Sequence, residues 1–122
     1  MTNEQRVEEL INELGFDLGS IDKDRIVSLI EEDIADHQDS SSEYIRLLCG
    51  YLYCLGDESD AELLKRAKYG ISFDVGCMID EEWIDSLSNR NVDYPIRSRE
   101  ELIRDFVEYY RGYKADVIDT AE

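Results

Sequence analysis

Residues 43–55 constrain the fold more than any other stretch, because they predict a helix that is apolar on most of its surface. Two sets of apolar side chains cover this helix: Ile45, Leu48, Leu52 and Leu55 on one side, and Tyr44, Leu47, Tyr51 and Cys54 on another. Only Arg46, Gly50 and Tyr53 leave a narrow polar seam. A helix of this kind is covered by neighbours on several sides. We therefore expect it at the centre of an all-α domain.

The residues that flank this helix predict a hairpin. Ser40-x-x-Glu43 is a capping box, and Gly56 is expected to end the helix in the left-handed conformation. Ser59-x-x-Glu62 is a second capping box, and it opens a helix that is followed by Gly70. Because so few residues separate the two helices, we expect them to form an antiparallel hairpin.

Similar signals predict two helices before this hairpin. Thr2-x-x-Gln5 is a plausible capping box, and Gly15 closes the helix that it opens. The second helix starts at Asp22 or Ser20. Its buried stripe is predicted to consist of Ile26, Leu29, Ile30 and Ile34.

After the hairpin, residues 72–88 fit either one helix or two, with Ser72 able to cap the first. Residues 88–97 contain the only proline and predict a loop. Ser98-x-x-Glu101 opens the last helix, and residues 114–122 are expected to be a frayed tail. Helices with short links and no alternating strand pattern predict an all-α fold of about six to seven helices. The spacing of the capping boxes favours stacked antiparallel helical hairpins in a single domain, 1–122.

Charge is the strongest compositional feature. The chain has 30 acidic and 13 basic residues, which gives a net charge of −17. Residues 1–62 contain 17 acids and 4 bases, a net −13, whereas residues 63–122 contain 13 acids and 9 bases, a net −4. Such a surface repels nucleic acids and anionic membranes, and it attracts a basic partner.

No apolar run approaches the roughly 18 residues that a membrane span requires, and the N-terminus is polar and acidic. The expected location is therefore the cytoplasm. Cys49, Cys54 and Cys77 all lie among apolar residues, so we expect reduced and buried thiols.

The inventory of reactive groups predicts no enzyme, no cofactor and no metal site. The single histidine, His37, lies in a polar loop and is predicted to be an ordinary surface residue. There is no Cys-x-x-Cys pair for zinc. The segment that starts at Asp22 begins like a calcium loop but has Val27 where that loop needs glycine.

Three acidic groups predict a surface that docks a basic protein. If the helices stack as hairpins, the acids at the end of the second helix lie close to those in the hairpin loop, while a third group surrounds Trp83. The residues predicted to contact the partner are Glu31, Glu32, Asp33, Asp36, Asp39, Tyr53, Asp57, Glu58, Asp60, Asp80, Glu81, Glu82 and Trp83. Holding like charges together costs stability, and a basic partner would relieve that cost.

Each of these features also has a simpler interpretation. Charge runs on helices are usually solvated faces without a partner. Tyr53 is either an aromatic anchor for the partner or a tyrosine whose hydroxyl reaches water at the edge of the core.

The pattern Asp60-Ala-x-Leu-Leu-Lys-Arg-Ala-Lys…Ser72-Phe-Asp74-x-Gly-Cys77-x-Ile-Asp80 resembles small helical proteins encoded beside bacterial polymorphic toxins. The likeness covers roughly residues 43–87, and it is closest to the immunity proteins of contact-dependent growth inhibition. It implies a HEAT-like helical stack that binds and neutralises a co-encoded toxin domain, often a nuclease. It also implies structural roles for Asp74 as a cap or buried acceptor and for Phe73 and Cys77 in the core.

The expected function is therefore that of an immunity protein which covers the basic active site of a toxin, most readily a nuclease. Two alternative functions belong to other classes of protein. One is an acidic DNA mimic, whose carboxylates would be spaced like phosphates along an elongated surface. The other is a helical-repeat adaptor or scaffold, for which the charge would be incidental. Neutralising the acids of residues 31–39 should weaken the first two and leave the third intact.

Overall fold

The computed structural model describes residues 2–38, 41–88 and 94–113, and 77% of these residues are helical. Seven α-helices follow one another: α1 (Asn3–Leu14), α2 (Lys23–Ala35), α3 (Glu43–Leu55), α4 (Ala61–Gly70), α5 (Phe73–Met78), α6 (Glu81–Ser88) and α7 (Arg99–Arg111). Short 3₁₀ turns at Leu18–Ser20 and Glu58–Asp60 precede α2 and α4. No residue within the described ranges belongs to a strand. The predicted all-α fold of six to seven helices is confirmed.

Helix α3 lies at the centre, as its apolar surface predicts, and it packs against all six other helices. Its buried residues run without interruption from Leu47 to Tyr53 and also include Ile45. The core around it draws on every other helix, from Val7 in α1 to Phe106 in α7. One helix therefore supplies a buried surface that the rest of the fold shares.

Several predicted helix ends are confirmed. The capping boxes that start at Thr2 and Ser98 both form, with backbone and side chain bonded reciprocally in each. Asp22 is the N-cap of α2 and accepts a hydrogen bond from the backbone N–H of Asp24 at 3.1 Å. Gly15 ends α1 with φ at +61°, a conformation that glycine adopts without strain.

The ends of the predicted central hairpin differ in detail. Gly56 does end α3, but its φ is −94°, so the predicted left-handed conformation is wrong. Glycine is needed there for space, because an added Cβ would lie 2.7 Å from the carbonyl oxygen of Leu52. Helix α4 is entered through a capping box formed by Asp57 and Asp60, not by Ser59, since a 3₁₀ turn precedes the helix.

Residues 72–88 form two helices, because Ile79 adopts an extended conformation between α5 and α6. Ser72 caps α5 by accepting a hydrogen bond from the N–H of Val75 at 3.2 Å. Asp80 accepts one from the N–H of Glu82 at 2.9 Å and so caps α6.

The expected burial of Phe73 and Cys77 is wrong, since Phe73 is 85% exposed and Cys77 is also exposed. The two residues are four positions apart and share one face of α5, while the buried Val75 lies on the opposite face. Asp74 is exposed as well and is neither the cap nor a buried acceptor. The short helix thus turns only one side to the core.

The other two cysteines lie within the protein. Cys49 is fully buried, and burial raises the pKa of its thiol well above the ordinary value. Cys54 is half-buried, and burial raises the pKa of its thiol to about 12. Burial of all three thiols was predicted, and it is confirmed in full only for Cys49.

The polar seam of α3 faces other helices and not solvent. Gly50 lets α7 approach so closely that an added Cβ would overlap the ring of Phe106, with even Cζ only 2.9 Å away. That ring is packed among others, with centroids 5.5 Å from Tyr51, 6.0 Å from Trp83 and 5.2 Å from Tyr110. The seam is therefore a contact surface whose shape depends on glycine.

Arg46, on the same seam, joins α3 to α5 and α7. Its Nε donates to the carbonyl oxygen of Met78 at 3.1 Å, and its Nη1 donates to the hydroxyl of Tyr110 at 3.0 Å. The guanidinium carbon lies 5.2 Å from the ring centroid of Trp83, 4.4 Å from that of Tyr109 and 5.4 Å from that of Tyr110. A charged group is thus held among aromatic rings, and two of its nitrogens donate hydrogen bonds.

Some expectations fall on residues outside the described ranges. These are the capping role of Ser40, the partner contact of Asp39, the frayed tail at 114–122 and most of the loop at 88–97. Of the described part of this loop, Ser88 is wrongly included, because it is the last residue of α6, whereas residues 94–97 are not helical.

Candidate functional site

The acidic groove at the C-terminal end of α2 is the strongest candidate for a binding site. It has a volume of about 440 Å³ and is lined by Arg6, Leu29, Glu32, Asp33, Ala35, Asp36 and Tyr44. Glu32 and Asp36 are exposed on its rim, and neither forms an ion pair with the residues that the structure describes. No basic residue occupies the last turn of α2, so the negative end of the helix dipole adds to these charges.

The floor of the groove is provided by Leu29, Tyr44 and Arg6. The guanidinium carbon of Arg6 lies 5.5 Å from the ring centroid of Tyr44. Burial raises the pKa of the Tyr44 hydroxyl, so this side chain stays neutral. Sequence reasoning assigned Leu29 and Tyr44 to the core only, because periodicity cannot distinguish a buried residue from one at the edge of a groove.

Asp33 was predicted to be a surface contact, and this is wrong, since it is only 4% exposed. It lies three residues after Ile30 and seven after Ile26, so it continues the buried stripe of α2. Its Oδ2 is 2.9 Å from Nδ1 of His37, whose side chain is only 13% exposed. The prediction that His37 is an ordinary surface residue is also wrong, because it covers this buried carboxylate.

The acids of α2 and those of the hairpin loop do not merge into one surface. Lys23, at the start of α2, pairs with Asp60 at 2.9 Å, whereas Asp36 follows the end of the same helix. Thirteen residues of helix separate the two ends by about 20 Å. Glu31 is paired as well, because its carboxylate accepts hydrogen bonds from both terminal nitrogens of Arg66, at 2.8 and 3.1 Å.

In the hairpin loop, two of the three predicted contacts have structural roles. Asp57 accepts hydrogen bonds from the hydroxyl and the N–H of Ser59 at 2.6 and 2.9 Å, and these bonds lower the pKa of its carboxyl. Asp60 accepts from the N–H of Asp57 at 2.9 Å and binds Lys23. Glu58 is exposed and forms no ion pair within the described chain.

Two of the acids around Trp83, Asp80 and Glu82, are paired with Arg97. Its guanidinium lies 2.8 Å from Glu82, 3.3 Å from Asp80 and 2.6 Å from Asp105. Glu81 accepts a hydrogen bond from the hydroxyl of an exposed tyrosine, Tyr69, at 2.6 Å. This cluster is therefore a poor candidate for a free anionic surface.

We expect Glu82→Gln to lower the free energy of unfolding by about 1 kcal/mol at neutral pH, because it removes the charge from a partly buried carboxylate whose two oxygens both accept hydrogen bonds from Arg97. Arg97 lowers the pKa of Glu82 below its ordinary 4.5. The stabilisation is therefore present above pH 4.5, and it is lost as the pH falls through the lowered pKa.

Urea denaturation of both proteins over a pH series measures this difference. The two curves should converge in acid. Glu108→Gln, an exposed change on α7, should alter stability by less than about 0.5 kcal/mol at every pH. A gap between wild type and Glu82→Gln that is constant with pH would contradict the assignment.

The two aromatic residues predicted to contact the partner are buried. Tyr53 is fully buried, its hydroxyl shares a 2.6 Å hydrogen bond with Ser86, and its ring stacks on Trp83 with centroids 6.2 Å apart. Arg99 covers the other side, with its guanidinium carbon 4.8 Å from the ring centroid of Tyr53. Trp83 is itself only 2% exposed. Both residues belong to the core, so neither offers the exposed surface that the predicted contact with a partner would need.

Within the described ranges, no group of three or more His, Cys, Asp and Glu side chains is arranged to hold a metal ion. In the same ranges, no helix has the length and apolar character needed to span a membrane. Comparison with protein-family models, with curated proteins and with solved structures finds no match for this chain. Any functional interpretation therefore rests on the groove and on the charge of the molecule.

Proposed function

We propose that this protein is an immunity protein, which binds and neutralises a cationic toxin domain, such as a nuclease, by covering its basic active site. The observation that carries the proposal is the groove at the end of α2, where Glu32 and Asp36 form no ion pair with any residue of the described ranges. The net charge of −17 supports it, because that field speeds the approach of a cationic protein. The resemblance of residues 43–87 to immunity proteins points in the same direction.

The groove fits the side chain of a lysine or arginine. Leu29 and Tyr44 offer an apolar surface for the aliphatic part of such a side chain, while Glu32 and Asp36 stand at the rim for its charged end. Nucleases bind the phosphate backbone through such cationic side chains, so occupation of this groove would compete with their substrate.

The direct test uses the product of the neighbouring gene, which the proposal expects to be a basic toxin. Co-expression should restore growth to cells that make this toxin, and the purified proteins should form a complex. Raising the salt concentration from about 50 mM to about 500 mM should slow association at least tenfold, because the attraction is screened. Failure to bind the neighbouring protein, or an association rate that does not respond to salt, would argue against the proposal.

The double variant Glu32→Gln/Asp36→Asn should slow association with the toxin about 3- to 10-fold. Glu100→Gln/Glu108→Gln removes the same charge from exposed positions on α7 and should have a much smaller effect. Stopped-flow mixing measures both rates. Equal slowing by the two pairs would mean that total charge attracts the toxin and that the groove is not the contact. Unchanged binding in both would favour an adaptor.

A further inference from the structure

The acidic groove continues into a second cavity between α1 and α2. This cavity has a volume of about 230 Å³, and it shares Arg6, Leu29 and Tyr44 with the groove. Residues that line two cavities lie between them, so the two cavities adjoin and form one trough. The far end of the second cavity is lined by Glu13 of α1 and Arg25 of α2, whose side chains form an ion pair across the trough.

The trough results from the way in which α1 and α2 are arranged. The end of α1 meets the start of α2 through Glu13 and Arg25. The start of α1 meets the segment after α2, because Nδ2 of Asn3 donates to the carbonyl oxygen of Gln38 at 3.1 Å. The two helices are therefore antiparallel, and each of them packs on α3. Tyr44, at the start of α3, lies between them on the floor of both cavities.

Carboxylates line both walls of the trough. Glu9 is exposed on the α1 side, and Glu32 and Asp36 are exposed on the α2 side. None of the three forms an ion pair with a residue that the structure describes. Five acids and two bases line the two cavities, a net charge of −3, and a positive charge on His37 beside Asp33 would still leave −2. These residues are Glu9, Glu13, Glu32, Asp33, Asp36, Arg6 and Arg25.

The length of the trough defines the segment that fits it. From Arg25 to Asp36 the trough follows α2 for about 17 Å, which an extended chain covers in about five residues. A helix is about 10–12 Å wide with its side chains, and the Glu13–Arg25 pair joins the two walls at one end. An extended segment therefore fits better than a helix. Leu29 and Tyr44 provide an apolar floor for the aliphatic parts of long basic side chains.

We propose that this trough binds an extended segment of a basic partner, which places one cationic side chain beside Glu32 and Asp36 and a second beside Glu9. Alternate side chains of an extended chain point to the same side, about 7 Å apart, so the two basic residues are two positions apart. The inference rests on the proposed function for the identity of the partner, the toxin. It adds a second contact on α1 and defines the shape of the segment that makes both contacts.

Two blocked peptides of equal composition and charge, Gly-Arg-Gly-Arg-Gly and Gly-Arg-Arg-Gly-Gly, test the trough with the purified chain alone. The first can direct both arginines to the same side of an extended chain, whereas the second cannot. The first should therefore bind about three- to tenfold more tightly in NMR titrations at about 50 mM salt, with the largest amide shifts at Leu29 and Tyr44. Equal affinities, or shifts spread evenly over the surface, would overturn the proposal.

Glu9→Gln distinguishes this inference from the proposed function. It should weaken binding of the first peptide and of the toxin about threefold each. Glu100→Gln, which removes the same charge from an exposed position on α7, should have a much smaller effect on both. A toxin that binds Glu9→Gln and Glu100→Gln equally well would overturn the second contact and leave the proposed function standing. A chain that prefers the first peptide but does not bind the neighbouring gene product would support the trough and refute the proposed function.

Discussion

Gly50→Ala is expected to destabilise the protein by about 3 kcal/mol, even though alanine is the better helix former by about 1 kcal/mol. The new Cβ would overlap the ring of Phe106, which packs against Tyr51, Trp83 and Tyr110. Relief would require that ring to leave its packed position or α7 to move away from α3. In chemical denaturation, the loss should appear as a lower denaturant concentration at the midpoint, while the slope of the free energy of unfolding against denaturant concentration stays similar.

A matched control is available in Gly70, the last residue of α4, where an added Cβ meets nothing within 4 Å. Gly70→Ala should be neutral or stabilising by up to about 1 kcal/mol. Combining Gly50→Ala with Phe106→Leu should cost less than the sum of the two single changes, because the smaller side chain leaves room for the methyl group. Equal stability of the two alanine variants would show that the approach of α7 to α3 is not tight.

Arg46→Met is expected to cost about 3 kcal/mol. It removes two hydrogen bonds from a charged donor, to the carbonyl of Met78 and to the hydroxyl of Tyr110. It also removes the cation from among the rings of Trp83, Tyr109 and Tyr110. Hydrogen bonds from charged groups contribute about 1.5–3 kcal/mol each, and a shielded cation–π contact adds about 1–2, while methionine recovers part of the apolar packing.

Arg104→Met serves as the control, because Arg104 is an exposed arginine on α7 and its loss changes the net charge equally. We expect its effect to stay within about 0.5 kcal/mol. The loss of stability in Arg46→Lys should fall between those of Arg46→Met and Arg104→Met. An ammonium group keeps the charge, but it lacks the planar fork with which arginine reaches both acceptors. If Arg46→Met and Arg104→Met were equally stable, the aromatic surroundings of Arg46 would contribute nothing.

The sequence predicted those features that depend on local physical chemistry. The capping boxes at Thr2 and Ser98 form because each satisfies backbone groups only three residues away. The central position of α3 follows from its apolar surface, which is covered by the six helices that pack against it. The capping boxes and the apolar surface can each be recognised from the residues of a single helix.

Features that depend on partners distant in the chain were missed. Arg97 binds Asp80 and Glu82 from 15 to 17 positions away, and nothing in the local pattern selects it over another arginine. Arg99 likewise donates to the carbonyl oxygens of Tyr53 and Cys54 at the end of α3. These contacts exist only once α7 has packed, so the acidic surface could not be defined before the fold was known.

Two errors, however, were within reach of the sequence. Asp33 follows Ile26 and Ile30 at helical spacing, which places it in the buried stripe despite its charge. Phe73 and Cys77 share one face of a six-residue helix whose opposite face carries Val75. In both cases the residue type was given more weight than its position on the helix.

The central position of α3 has a consequence for how such a protein can diversify. Because one buried helix holds the other six, the outward residues of α2 contribute little to the cohesion of the fold. Glu32 and Asp36 are thus free to vary without endangering the scaffold that presents them. The chemistry of this rim could therefore change during evolution while the interior stays the same.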